Sequence, residues 1–142
     1  MKLAEAMKEK SRMKKKITDL RERLERAAQA ETDPEESPKN LLLDLEETLR
    51  RMERLAAAIY HTNDLVKAGG KTMTRLIYTR DTLFFRQELY KNLIRLAENS
   101  ENPAPADLSI PELKNKAERV KEEIRSLNDL IQKTNWTTDL IE

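Results

Sequence analysis

The chain has 142 residues, 37% charged and 4% aromatic, with two glycines and no cysteine. That length predicts one domain, and the composition is that of long helices rather than of an average globular protein. A net charge of +1 supplies no overall field for nucleic acid, and the lack of cysteine excludes disulfides, thiolate catalysis and Cys-ligated zinc.

The first helix is predicted over about residues 2–30, with Leu3, Ala6, Lys10, Met13, Ile17, Leu20, Leu24 and Ala27 at heptad spacing. Residues 2–26 carry ten Lys or Arg against five acids, and residues 31–53 carry eight acids against Lys39, Arg50 and Arg51. Opposite charge on consecutive helices predicts antiparallel electrostatic partners. The competing reading is a basic face for RNA or anionic lipid. Met1 to Lys16 lacks the apolar run of a secretory signal. No stretch approaches the roughly 20 apolar residues of a membrane span, so a cytoplasmic location is expected.

Thr32-Asp33-Pro34-Glu35-Glu36-Ser37-Pro38 reads as a turn, with Ser37 as cap and Pro38 as the first residue of helix two. That helix is predicted over 38–63, with a seam through Leu42, Leu45, Leu49, Met52, Ala56, Ile59, Asn63 and Val66. Gly69 and Gly70, the only glycines, mark the tightest turn. Helix three is predicted over 74–99, capped by Thr72 or Thr74, with Met73, Leu76, Arg80, Leu83, Gln87, Tyr90, Ile94 and Ala97 in phase. Pro103 and Pro105 place a loop over 100–109. Helix four is predicted over 110–135, with Ile110, Leu113, Ala117, Val120, Ile124, Leu127, Ile131 and Thr134 on its seam, before a tail at 136–142. The expectation is an all-α chain forming a single helical domain over 1–142. It would be an elongated antiparallel coiled coil, a rod of four long helices in two helical hairpins.

Little in the sequence carries chemistry. Gly70-Lys71-Thr72 ends like a phosphate-binding loop, but Leu65 stands where the first glycine belongs and a helix precedes it. His61 is the only histidine, and no Glu-x-x-His pair exists. No catalytic residue, metal or cofactor is expected, and the chain reads as non-enzymatic.

Two groups of residues break the pattern. Arg80 and Gln87 fall on the seam of helix three and Asn63 on that of helix two. A buried charge is costly unless paired, which suggests a polar network of Asn63, Arg80 and Asp81 with Thr72, Thr74, Asn135, Trp136 and Thr137. It could set the register, line a ligand pocket, or reflect a slip of the heptad phase. In the same reading Trp136 closes the tail against Thr72, Thr74 and the glycine turn. Off the seam, Phe84, Phe85, Leu89, Leu93 and Leu96 widen the apolar surface beyond what one partner covers. They predict a self-associating chain, a homo-oligomer built on a dimer, with nucleic acid not expected as a partner.

Met1-Lys2-Leu3-Ala4-Glu5-Ala6, Thr62-Asn63, Thr72-Met73-Thr74, Arg80-Asp81 and the closing Asn135-Trp136-Thr137-Thr138-Asp139-Leu140 resemble the septicolysin-like family of small bacterial helical proteins. The resemblance implies oligomeric coiled-coil assembly and brings no catalytic residues. The functional expectation is therefore a structural or interaction protein forming a homo-oligomeric helical assembly. The alternatives are a membrane-active, cytolysin-type protein, implied by the family name, and an RNA-binding coiled-coil arm using helix one.

Overall fold

Apolar residues recurring every three and four positions wind into one narrow stripe on an α-helix, and a partner helix laid along the stripe covers it. The structure, a computed structural model, describes residues 1–30 and 36–142. Its helices are α1 (Leu3–Ala28), α2 (Pro38–Leu65), α3 (Met73–Glu98) and α4 (Ile110–Thr137), so the fold is all-α, with one small hairpin among the described residues. The turn expected at Thr32-Asp33-Pro34-Glu35 lies outside the described residues. Contacts gather into two compact units, Met1–Leu65 with Asn135–Glu142, and Val66–Thr134.

In the first unit α1 and α2 pack antiparallel. Leu3 and Ala6 near the start of α1 bury against Ile59 near the end of α2. Lys16 pairs with Asp44 at 3.1 Å, and Arg23 pairs with Glu36, so basic α1 meets the acidic segment that follows it. Arg23 holds the Glu36 carboxyl below its ordinary range, while Glu36 and Asp19 keep the guanidinium charged. The contribution of Glu36 is present above the ordinary carboxylate range and fades as pH falls through its lowered value. Both side chains are exposed, so the effect is modest. The Ser37 hydroxyl accepts from the Asn40 N–H at 3.3 Å and caps α2.

The seam of α2 differs from the one read in the sequence. Leu41, Thr48, Ile59, Thr62 and Asn63 are buried, with Leu45, Met52 and Leu55 half-buried between them. Leu42 and Leu49 are 44% and 43% exposed. The stripe therefore runs 41, 45, 48, 52, 55, 59, 62: it shares 45, 52 and 59 with the expected seam and takes Leu41 and Thr48 in place of Leu42 and Leu49. The physical reason is Thr48. Its hydroxyl donates to the Asp44 carbonyl at 2.8 Å, so it can be buried on a seam without an unsatisfied polar group. Thr62 does the same with the Ala58 carbonyl at 2.8 Å.

The second unit begins with a hairpin the sequence reading did not resolve into strands, β1 (Lys67–Ala68) against β2 (Lys71–Thr72). Gly69 and Gly70 have φ of +60° and +82°. Two positive angles in a two-residue loop are the type I′ condition, which matches the twist of paired strands. The Met73 N–H donates to the Val66 carbonyl at 2.9 Å and carries the pairing into α3. Thr72 caps that helix, its hydroxyl accepting from the Arg75 N–H at 3.1 Å. Helices α3 and α4 lie antiparallel. Met73 and Leu76 pack on Ile131, Leu83 packs on Val120 and Ile124, and Glu98 pairs with Lys114 at 2.8 Å. The expected seams of α1, α3 and α4 coincide with their buried and half-buried residues.

Two outcomes test this description. Leu41→Ala should cost about 2 kcal/mol or more and Leu42→Ala under about 1 kcal/mol in urea unfolding; equal costs would restore the original phase. Gly70→Ala forces a side chain into the left-handed region and should cost about 1 kcal/mol, while Gly70→Asn costs less. A Gly70→Ala midpoint equal to wild type would show that the turn is not built this way.

Candidate interaction surface and the polar seam

Helix α3 has two apolar faces. The buried one is set by Met73, Leu76 and Leu83. Advancing roughly 100° per residue, Tyr78, Phe85, Leu89 and Leu96 fall within about 40° of one another on the opposite side. All four face solvent, at 70%, 71%, 42% and 53% exposure. With Thr82 and Asn92 they complete the spacing 78, 82, 85, 89, 92, 96, a second heptad seam. Asp81 and Glu88 flank it on one side and Arg86 on the other. Of the residues expected to form the oligomer surface, Phe85, Leu89 and Leu96 lie on this stripe and half-buried Leu93 at its margin. Phe84, 41% exposed, does not belong with them, because adjacent residues of a helix point about 100° apart. Tyr78 is the member that sequence reasoning missed, although it stands one heptad before Phe85.

The residues expected to form a polar network divide between the two units. In the second, Arg80 lies on the buried side of α3 as its phase required. Its Nη1 donates to the Asn128 Oδ1 at 3.2 Å, and its Nε is buried without a protein acceptor. Asn128 was not singled out from the sequence; it adjoins the seam residue Leu127 and reaches Arg80 sideways. Asp81 is exposed on the far flank, Thr72 is occupied as the α3 cap, and Thr74 is exposed. In the first unit Asn63 and Asn135 are each 8% exposed, and the Oδ1 of each is buried without a protein donor. Thr137 is exposed. Among the described residues no group of three or more His, Asp or Glu is arranged to hold a metal ion.

The end of the chain is held by residues other than those the sequence suggested. Helix α4 continues through Trp136 to Thr137, leaving a tail of 138–142. The Leu3 N–H donates to the Thr138 carbonyl at 2.9 Å and the Leu140 N–H to the Met1 carbonyl at 2.8 Å. Lys2 pairs with Asp139 at 2.8 Å and holds that carboxyl below its ordinary range. The Ile141 N–H donates to the Thr62 hydroxyl at 2.8 Å, and Leu140 packs on the Leu3, Ala6 and Ile59 cluster. Trp136, expected to close the tail by burial near Thr72 and Thr74, is 51% exposed. Its ring carries the Lys8 ammonium at 4.5 Å. Backbone pairing and Leu140 anchor the tail, so Leu140→Ala should cost about 2 kcal/mol. Trp136→Ala should cost about 1 kcal/mol, the scale of an exposed cation–π contact. Chemical unfolding of the two variants checks the order; a larger loss from Trp136→Ala would reverse it.

Comparison with known proteins corrects the resemblance to the septicolysin-like family. Residues 10–140 match DUF6847, a family of unknown function, and no septicolysin-like family is indicated, so the cytolysin expectation falls with it. The quoted residues that carried that resemblance are mostly helix-seam, cap and tail positions, which many helical chains satisfy. No helix among the described residues is long and apolar enough to cross a membrane. No curated protein matches the chain. Among solved structures it is similar to a functionally unknown conserved protein from Corynebacterium diphtheriae, with 29% identity, a TM-score of 0.90 and 99% of each chain covered. With 10–140 matched, the chain belongs to the DUF6847 family.

Proposed function

We propose that this protein is a non-enzymatic interaction protein that self-associates through the second face of α3, as a dimer of identical chains. The observation that carries the reading is the exposed stripe of Tyr78, Phe85, Leu89 and Leu96. Its heptad spacing fits a helix partner lying lengthwise, and exposed apolar surface of that continuity marks an interface. Its flanking charges suit a second copy. In a parallel pair the residue before one heptad meets the residue five positions on in the partner. Asp81 of each copy then faces Arg86 of the other, twice by symmetry. Thr82 and Asn92, polar within the stripe, would fix the register at some cost in affinity.

Sedimentation equilibrium tests the reading. The wild type should be a dimer at micromolar concentration. Phe85→Lys should be a monomer with an unchanged helical circular dichroism spectrum, since Phe85 is 71% exposed and belongs to none of the core clusters. A wild type still monomeric well above micromolar concentration, or a dimer indifferent to Phe85→Lys, would remove the proposal.

A further inference from the structure

The first unit also holds an open groove of about 770 Å3, walled by α1, the second half of α2 and the last residues of the chain. That volume lies in the range of small-molecule sites, roughly 300–1,000 Å3. Its lining is divided by chemistry. Met13, Leu55, Ala58 and Ile141 give an apolar floor, and Ala58 leaves the floor low where a larger side chain would fill it. Arg51 and Arg54 stand together at one end, one helical turn apart on α2.

What distinguishes those two arginines is their place in the groove. Several cations of the unit are answered, Lys2 by Asp139, Lys16 by Asp44, Arg21 by Glu25 and Arg23 by Asp19 and Glu36, and others, such as Lys14, Lys15, Lys39 and Arg50, stand unpaired among the described residues but line no groove. Among the described residues Arg51 and Arg54 have no ion pair and no hydrogen bond. Glu9 also lines the groove, but Arg12 already pairs with it at 3.4 Å. His61 and Glu142 close the other end, and the ten residues from Arg51 to His61 span roughly 15 Å of helix. The groove thus presents two unpaired guanidinium groups at one end, with the already paired Glu9 in its wall, and apolar side chains along its length.

We propose that this groove binds a single-chain amphiphile with an anionic head, a carboxylate or a phosphate. The head is held by Arg51 and Arg54, whose planar guanidinium groups match such oxygens in pairs. The apolar chain lies over Leu55 and Ala58 toward Ile141.

Isothermal titration with dodecyl phosphate below its micelle concentration tests the proposal, with dodecyltrimethylammonium and inorganic phosphate as comparison probes. Dodecyl phosphate should bind saturably, one per chain. The cationic amphiphile and inorganic phosphate should bind at least about tenfold more weakly, since each lacks one half of the recognition. The Arg51→Gln/Arg54→Gln pair should weaken dodecyl phosphate by about tenfold or more, and Ala58→Phe should abolish its binding by filling the floor. Phe85→Lys, which alters only the α3 stripe, should bind as wild type does, so the groove and the dimer surface stand or fall separately. Equal binding of the two amphiphiles would mean indiscriminate adhesion, and absence of saturable dodecyl phosphate binding would also overturn the proposal. So would wild-type affinity in the arginine pair or in a folded Ala58→Phe chain. The comparison of probes on the wild-type protein holds even if a variant fails to fold.

Discussion

A heptad stripe can leave water only by lying lengthwise against another stripe, and that constraint organises both units. Helix α1 buries its stripe against α2, and α3 buries one of its two against α4. Charges then select direction. Lys16 reaches Asp44 and Arg23 reaches Glu36 only in the antiparallel arrangement. Each such exposed pair contributes little alone, but like charges would meet if the register slipped. The apolar term supplies the stability, and the polar pattern supplies the choice among ways of obtaining it. On helix α3 the pairing leaves a whole second stripe over. Its hairpin covers Leu76 and Leu83 and leaves Tyr78 and Phe85 in water.

The ends of the first unit show how a helical hairpin is closed. Lys2 and Asp139 form an antiparallel bridge, and the Thr62 hydroxyl serves two masters, donating to its own helix and accepting from the tail at Ile141. A hydroxyl can do both because it carries one proton and two lone pairs. A valine of similar shape would cover the seam but leave the tail's N–H unpaired. The polar residue on the seam is therefore explained by what it holds, which periodicity alone does not reveal.

How much was legible in the sequence follows from the range of each interaction. The seams of α1, α3 and α4 were readable because the pattern is local and repeats along each helix. The cap at Ser37 and the glycine turn were readable for the same reason. The α2 phase slipped because Leu42 and Leu49 are more apolar than Leu41 and Thr48, and hydropathy ranks a threonine by its hydroxyl without knowing that the preceding turn satisfies it. The strands at Lys67–Ala68 and Lys71–Thr72 were too short to show alternation, although two adjacent glycines already carried the type I′ signal. The polar site was the least legible part. Arg80 was placed correctly on its helix, but its partner Asn128 depends on how α3 and α4 are rotated against each other, which no single-helix pattern records. Trp136 was expected to be buried because it is large; a terminal helical turn instead leaves it half in water under a lysine, and smaller Leu140 does the anchoring.

The polar atoms left over on the seams follow a common logic. Asn63 and Asn135 in one unit, and Arg80 in the other, occupy positions where leucine would pack better. An unsatisfied buried amide costs about 1–3 kcal/mol, so each lowers the stability of the hairpin that contains it. A stripe of leucine alone, however, fits any partner stripe at any heptad step, and this chain presents several such stripes, one of them open to solvent. Polar interruptions make the wrong alignments worse by more than they weaken the right one. A protein whose folding depends on matching similar seams, and which keeps one seam exposed, has particular need of that discrimination. The cost is therefore intelligible at the level of the whole helical pattern even where a single residue shows no compensating contact.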